Sequence, residues 1–123
     1  MLRCARCQVT VSRELTELRD PSLLSVADGQ EHLPSGFFRV AGAKDQEDHL
    51  VAGEGEFILN LRDLANTRHH SDFRRSQGCC GCDGLHGMNL VCANGHEIGT
   101  ERSDCWMPHY AHFPPNMVET VER

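Results

Sequence analysis

The chain has 123 residues and a formal charge of −6 at pH 7 with histidines neutral, a length that fits one domain. Leucine, isoleucine, valine and phenylalanine make up only about 22% of it, close to the level at which composition alone predicts disorder. The acidic balance repels polyanions, so a nucleic-acid partner is not expected. No stretch approaches the ~20 apolar residues of a membrane helix, and Arg3 and Arg6 are followed by no signal-peptide core, so a soluble cytoplasmic protein with no membrane association is expected.

In chain order, Cys4-Ala-Arg-Cys7 reads as a metal knuckle that runs into a short strand through Val9 and Val11. Ser12 as N-cap and Leu15 and Leu18 at i, i+3 predict a short helix stopped by Asp20-Pro21, and a second helical turn spans 22–26 before the Asp28-Gly29 turn. Residues 36–40 and 56–62 are strand-forming, the second placing Phe57, Leu59 and Leu61 on one face. Between them, 43–56 carries five acidic residues against one lysine and reads as a solvated loop. Residues 65–87 have almost no apolar periodicity but hold Arg68, His69, His70, Arg74, Arg75, Cys79, Cys80 and Cys82. Something other than hydrophobic burial has to order them. A strand follows at 88–92, Asn94-Gly95 is a turn, and 96–102 returns as a hairpin partner. Pro114-Pro115 closes the expected domain at 1–115, leaving 116–123 as a tail that frays or adds an edge strand.

Seven cysteines, an odd number, with no export signal favour thiolates or metal ligation over structural disulfides. Zinc takes four ligands in a tetrahedron, and two cysteines three apart across a turn supply one edge of it. The expected ligands are Cys4, Cys7, Cys79, Cys80, Cys92, Cys105 and His109, with Cys82 and His96 in reserve. These serve one or two structural zinc ions. One site is expected to join Cys79 or Cys80 with Cys92, Cys105 and His109. The knuckle then draws on Cys79, Cys80 or Cys82 ahead of His69 and His70. Gly78, Gly81 and Gly84 supply the sharp turns and close backbone approach that such a loop requires, Asp104 is placed to orient His109 or His96, and Trp106 to cover the site. Arg68, Arg74 and Arg75 balance excess thiolate charge. His32, His49, His86 and His112 read as surface residues.

The order His69-His70, Asn89-Leu90-Val91-Cys92, Asn94-Gly95-His96 resembles the HNH, or ββα-metal, nuclease core. That resemblance implies His69, His70, Asn89 and His96 as catalytic candidates, with a divalent ion on the scissile phosphate and a histidine activating water. The sequence departs from the pattern in having Gly95 where a second knuckle cysteine often falls, and no proline after His70. A zinc deaminase is not supported, because His96-Glu97 is adjacent and no Pro-Cys-x-x-Cys follows. A thiol redox sensor is a further alternative through Cys79-Cys80 and Cys4/Cys7. Residues 78–84, 89–97 and 100–109, read as GCCG-x-DG, C-x-NGHE and TERSDCW-x-PH, resemble a group of short bacterial cysteine-rich proteins. The likeness implies a compact cysteine-rich module, in which Cys82 is not an essential ligand, and lends no activity.

The sequence thus predicts a small α+β, strand-dominated, zinc-stabilised domain with zinc-ribbon-like hairpins and one or two short N-terminal helices. The N-terminal knuckle at 1–11 docks on a Cys/His-rich module at 68–113. The expected role is that of a cytoplasmic interaction or accessory module with a protein partner, not an enzyme.

Overall fold

A computed structural model describes residues 1–42 and 52–121. Most of the expected acidic loop lies outside the described residues, as does His49. Among the described residues there are nine short strands: β1 (Leu2–Cys4), β2 (Thr16–Glu17), β3 (Phe37–Val40), β4 (Phe57–Leu59), β5 (Thr67–His69), β6 (Leu90–Cys92), β7 (Glu97–Arg102), β8 (Tyr110–Phe113) and β9 (Val118–Thr120). Seven of them form one sheet in the order β2-β3-β4-β8-β7-β6-β5, and β1 and β9 form a separate two-stranded ribbon. Only β2 and β3 run parallel; the other neighbours are antiparallel. Among the described residues no helix is long and apolar enough to cross a membrane.

Side-chain alternation along β4 and β8 divides the core between the two faces of the sheet. Leu59, Ala111 and Phe113 join Leu2, Cys4, Val11, Leu90, Cys92, Ile98 and Val118 in one buried cluster, with Phe57 and Leu61 packed against it. The expected one-sided set of Phe57, Leu59 and Leu61 therefore holds, although Leu61 has already entered a 3-10 turn, Leu61–Asp63. Ile58 and Tyr110 point the other way, into a second cluster with Leu33, Ala41 and Ala52. Gly99 permits the packing on the first face: a methyl there would overlap the Phe113 ring and the His112 carbonyl.

The expected N-terminal helix is not formed, and the described residues contain no α-helix. The amides of Thr16 and Leu18 donate instead to the carbonyls of Gly36 and Phe38, at 2.9 and 2.8 Å, so the segment is extended alongside β3. Leu15 and Leu18, which a helix would place on one stripe, point to opposite sides of an extended chain, and accordingly pack on different clusters. Ser12 is not an N-cap; its hydroxyl accepts from the Leu2 amide at 2.8 Å. The second helical turn expected at 22–26 is not formed as such: a 3-10 turn, Pro21–Leu23, capped by Asp20, overlaps only its start, and Leu24 is already extended. Around Val9 and Val11 the expected strand is reduced to single bridges at Thr10 and Ser12.

The strands expected near 36–40, 56–62, 88–92 and 96–102 are present as β3, β4, β6 and β7, all of them shorter or trimmed. In the expected C-terminal tail, Val118–Thr120 pairs with Leu2–Cys4, which brings the two ends of the described chain together. Two histidines expected at the surface are buried. His32 is 1% exposed, and His112 lies in a polar chain in which Arg102 Nε donates to His112 Nε2 at 3.0 Å and Nδ1 donates to Glu56 at 2.9 Å.

Candidate metal centres

The first candidate centre is assembled by two tight turns from distant parts of the chain. At the knuckle the Cys4 amide donates to Val9 O at 2.8 Å, the Gln8 amide donates to Cys4 O at 2.9 Å, and Gln8 takes a left-handed conformation with φ of 64°. Opposite it, Cys92 and His96 face each other across a three-residue hairpin loop. The Cys92 amide donates to His96 O, the Gly95 amide donates to Cys92 O, and Gly95 has φ of 84°, the arrangement expected of a turn closed by a left-handed glycine. Cys4, Cys7, Cys92 and His96 each offer one ligand atom, all within 4.8 Å of one another.

The spacings suit a metal. Cys7 Sγ and Cys92 Sγ are 3.7 Å apart, and His96 Nδ1 is 3.5 Å from Cys92 Sγ and 3.7 Å from Cys4 Sγ. A tetrahedral zinc with bonds of about 2.3 Å to sulfur and about 2.0–2.1 Å to nitrogen separates its ligand atoms by about 3.8 Å for S–S and about 3.6 Å for S–N edges. The sulfurs are far beyond the ~2.05 Å of a disulfide, and every cysteine in the chain is free. Cys4 and Cys92 are buried while Cys7 and His96 are half-buried. Hydrogen bonds from the Asn94 side chain first, and the Val9 backbone second, lower the Cys7 thiol to about 6. Burial raises Cys4.

A second cluster forms at the glycine-flanked loop. Cys79, Cys80, Cys105 and Asp104 also lie within 4.8 Å by their ligand atoms, and all three thiols are exposed. Asp104 is wholly buried and accepts four hydrogen bonds: Oδ2 from the Cys79 amide at 2.8 Å and Trp106 Nε1 at 3.0 Å, Oδ1 from the Cys80 amide at 3.0 Å and the Cys105 amide at 2.7 Å. Burial alone would raise its pKa, but the Cys80, Cys79 and Cys105 amides and the indole outweigh it and hold the carboxyl well below the usual range. Gly78 and Gly81 serve close approach rather than unusual dihedrals. A methyl at Gly78 would overlap Gly81 O and Asp104, and one at Gly81 would overlap Ser103 O. The Cys80 thiol first, then burial and Asp104, push Cys105 up to about 12.

The structure redistributes the expected ligands. Cys92 stands with the knuckle and not with Cys105 and His109. The knuckle's partners are Cys92 and His96, in place of Cys79, Cys80 or Cys82, so His96 moves from reserve to the centre of a cluster. His109 belongs to neither group: its Nε2 donates to the Asp104 carbonyl at 3.0 Å, and its backbone bridges Gln30 and His32. The Asp104 carboxylate orients neither histidine; it gathers the amides of the thiol loop. Trp106, 52% exposed, does not seal that loop from water. Arg74 and Arg75 engage Asp72 and Glu97 rather than thiolates.

Cys82 falls in a third group with His69 and Glu101. His69 Nε2 meets both Glu101 Oε1, at 3.0 Å, and Cys82 Sγ, at 3.9 Å. A nucleophile triad needs the imidazole to bridge its partners through different nitrogens. Burial first, then Glu101, drive the Cys82 thiol up to about 11, so this sulfur is a poor nucleophile. His70 accepts from the Asp72 amide at Nδ1 and donates to Glu97 at 3.1 Å from Nε2. Asn89 is buried and clamps the backbone of Glu101, accepting its amide at 2.6 Å and donating to its carbonyl at 2.9 Å. No family model, curated protein or solved structure matches the chain.

Proposed function

We propose that the chain is a structural-zinc protein in which one tetrahedral ion, bound by Cys4, Cys7, Cys92 and His96, fastens the N-terminal knuckle to the β6–β7 hairpin in a zinc-ribbon-like manner. The observation that carries this reading is the match between the 3.5 and 3.7 Å ligand spacings and the edges of a zinc tetrahedron. Three sulfurs and an imidazole favour zinc over magnesium, calcium or manganese, which prefer oxygen. Four protein donors leave no position for an activated water, so the ion holds structure and does no chemistry.

The work of the domain is then done by the loops that the metal keeps in place, as an interaction or accessory module for a protein partner in a reducing, cytoplasmic compartment. Seven free thiols support that compartment. Phe73, Leu85 and Trp106, exposed at 74%, 65% and 52%, support the interaction role, since exposed aromatic and apolar side chains are enriched where proteins meet. Proximity labelling in the native host tests it. The wild-type chain is expected to mark a partner that the Phe73→Ser/Leu85→Ser/Trp106→Ala variant loses while its zinc content stays unchanged. Equal labelling by both would contradict the role assigned to these loops.

A further inference from the structure

We propose that Cys79, Cys80 and Cys105 form a separate, open three-thiolate site for a soft divalent d10 cation, with Asp104 as its frame and one coordination position left to solvent or an outside donor. This deepens the metal-protein reading at a different place in the fold and does not require the knuckle centre to be loaded.

The frame is visible in the hydrogen bonds. A carboxylate offers about four lone-pair sites, and those of Asp104 are taken by the amides of Cys79, Cys80 and Cys105 and by the Trp106 indole. No lone pair remains for a metal, so the donor set is sulfur alone. Three of these four bonds tie the main chain of all three cysteines to one buried anion, which holds their sulfurs together before any ion arrives. Gly78 and Gly81 let the loop close onto Asp104 and Ser103 without side chains in the way.

Thiolates select soft cations over magnesium, calcium and manganese. On binding, three thiols release three protons, and three thiolates around a dication leave a charge of −1. A monocation would leave −2 beside the Asp104 carboxylate, so the dication is favoured. All three cysteines are exposed, in contrast to the buried Cys4 and Cys92, so the ion in this loop exchanges readily while the knuckle ion is retained.

The experiment uses full-length, reduced, zinc-loaded protein, treated with a mild chelator until its metal content is constant and then titrated with Cd²⁺. The readouts are bound metal, sulfur-to-cadmium charge-transfer absorption, and the fluorescence of Trp106, the single tryptophan of the chain. Alkylation with peptide mapping reports which thiols become protected. Expected are a further equivalent of cadmium, new protection confined to Cys79, Cys80 and Cys105, and a change in Trp106 emission. Cys105→Ser should abolish the added equivalent while leaving the retained zinc. The proposal is overturned if no cadmium is taken up beyond the retained metal, if Cys79, Cys80 and Cys105 stay unprotected at saturation, or if Cys79 and Cys80 are found joined as a disulfide in the reduced preparation. Protection of Cys4, Cys7 and Cys92 before the titration belongs to the knuckle centre, so the two readings fail separately.

Discussion

At the scale of single residues, a buried carboxylate does more ordering than any apolar side chain in the thiol loop. Asp104 substitutes for the hydrophobic contacts that residues 65–87 lack, because each amide it satisfies would otherwise be a costly orphan. Asparagine at this position has one acceptor oxygen and cannot receive four donors. Asp104→Asn should therefore weaken cadmium binding in the loop by about 10- to 100-fold, measured by competition with a chelator, while knuckle zinc is unchanged.

The pH dependence follows from two carboxyls. Asp104 and Glu56 both have depressed pKa values in the folded chain. For Glu56, burial acts against the shift, and the hydrogen bonds from His112 and the Gly53 amide prevail. A depressed carboxyl contributes stability that is fully present above the ordinary carboxylate pKa of about 4 and is lost as pH falls through the lower folded value. Thermal melts from neutral pH down to about pH 3 should show a falling limb in the wild type and a flatter one in Glu56→Gln.

His96 carries the sharpest single-residue prediction, because its Nδ1 faces two sulfurs. His96→Ala should release the zinc, whereas His96→Cys, which supplies a thiolate from the same hairpin, should keep it. Elemental analysis of the two purified variants distinguishes them.

Among the elements, the β6–β7 hairpin and the β1–β9 ribbon are the pair that the candidate centre of Cys4, Cys7, Cys92 and His96 spans. β1, β6 and β9 are short, three residues each. Their inward residues, Leu2, Cys4, Leu90, Cys92 and Val118, meet over the Leu59–Ala111–Phe113 face of the sheet. Truncating Phe113 to alanine should cost about 3–5 kcal/mol in denaturant unfolding. Gly99→Ala should destabilise the same packing from the opposite strand, because a new methyl must displace that ring.

The two tight turns that carry the candidate ligands were legible in the sequence, since Cys-x-x-Cys and Asn-Gly-His mark them by their spacing. Which turn faces which was not. That depends on β9 holding β1 over the sheet and on the order in which β4 and β8 pair, both set by contacts between strands far apart in the chain. His109 carried the right spacing from Cys105 for a ligand, yet its nitrogen and backbone are spent on local hydrogen bonds that no spacing rule reveals. The Leu15/Leu18 pair misled for a related reason: a separation of three suits one helix face or two strand faces, and only the neighbouring β3 decides.

For the whole molecule, the apolar supply is divided between two clusters on opposite sides of a sheet, so neither approaches the single continuous core of a larger domain. On the structural-zinc proposal, bound metal is the compensation, its binding free energy contributing directly to folding. That thinness was readable from composition; the division into two faces was not, because it arises from alternation along β4 and β8 once they are paired.

The most direct measurement combines metal content, X-ray absorption and thermal unfolding on protein purified under reducing conditions without added metal. The structural-zinc account predicts tightly held zinc in a shell of three sulfurs and one nitrogen, loss of that shell in Cys7→Ser, and a large drop in Tm when a strong chelator removes the ion. Protein that is metal-free as purified, cooperatively folded and indifferent to chelator would contradict it.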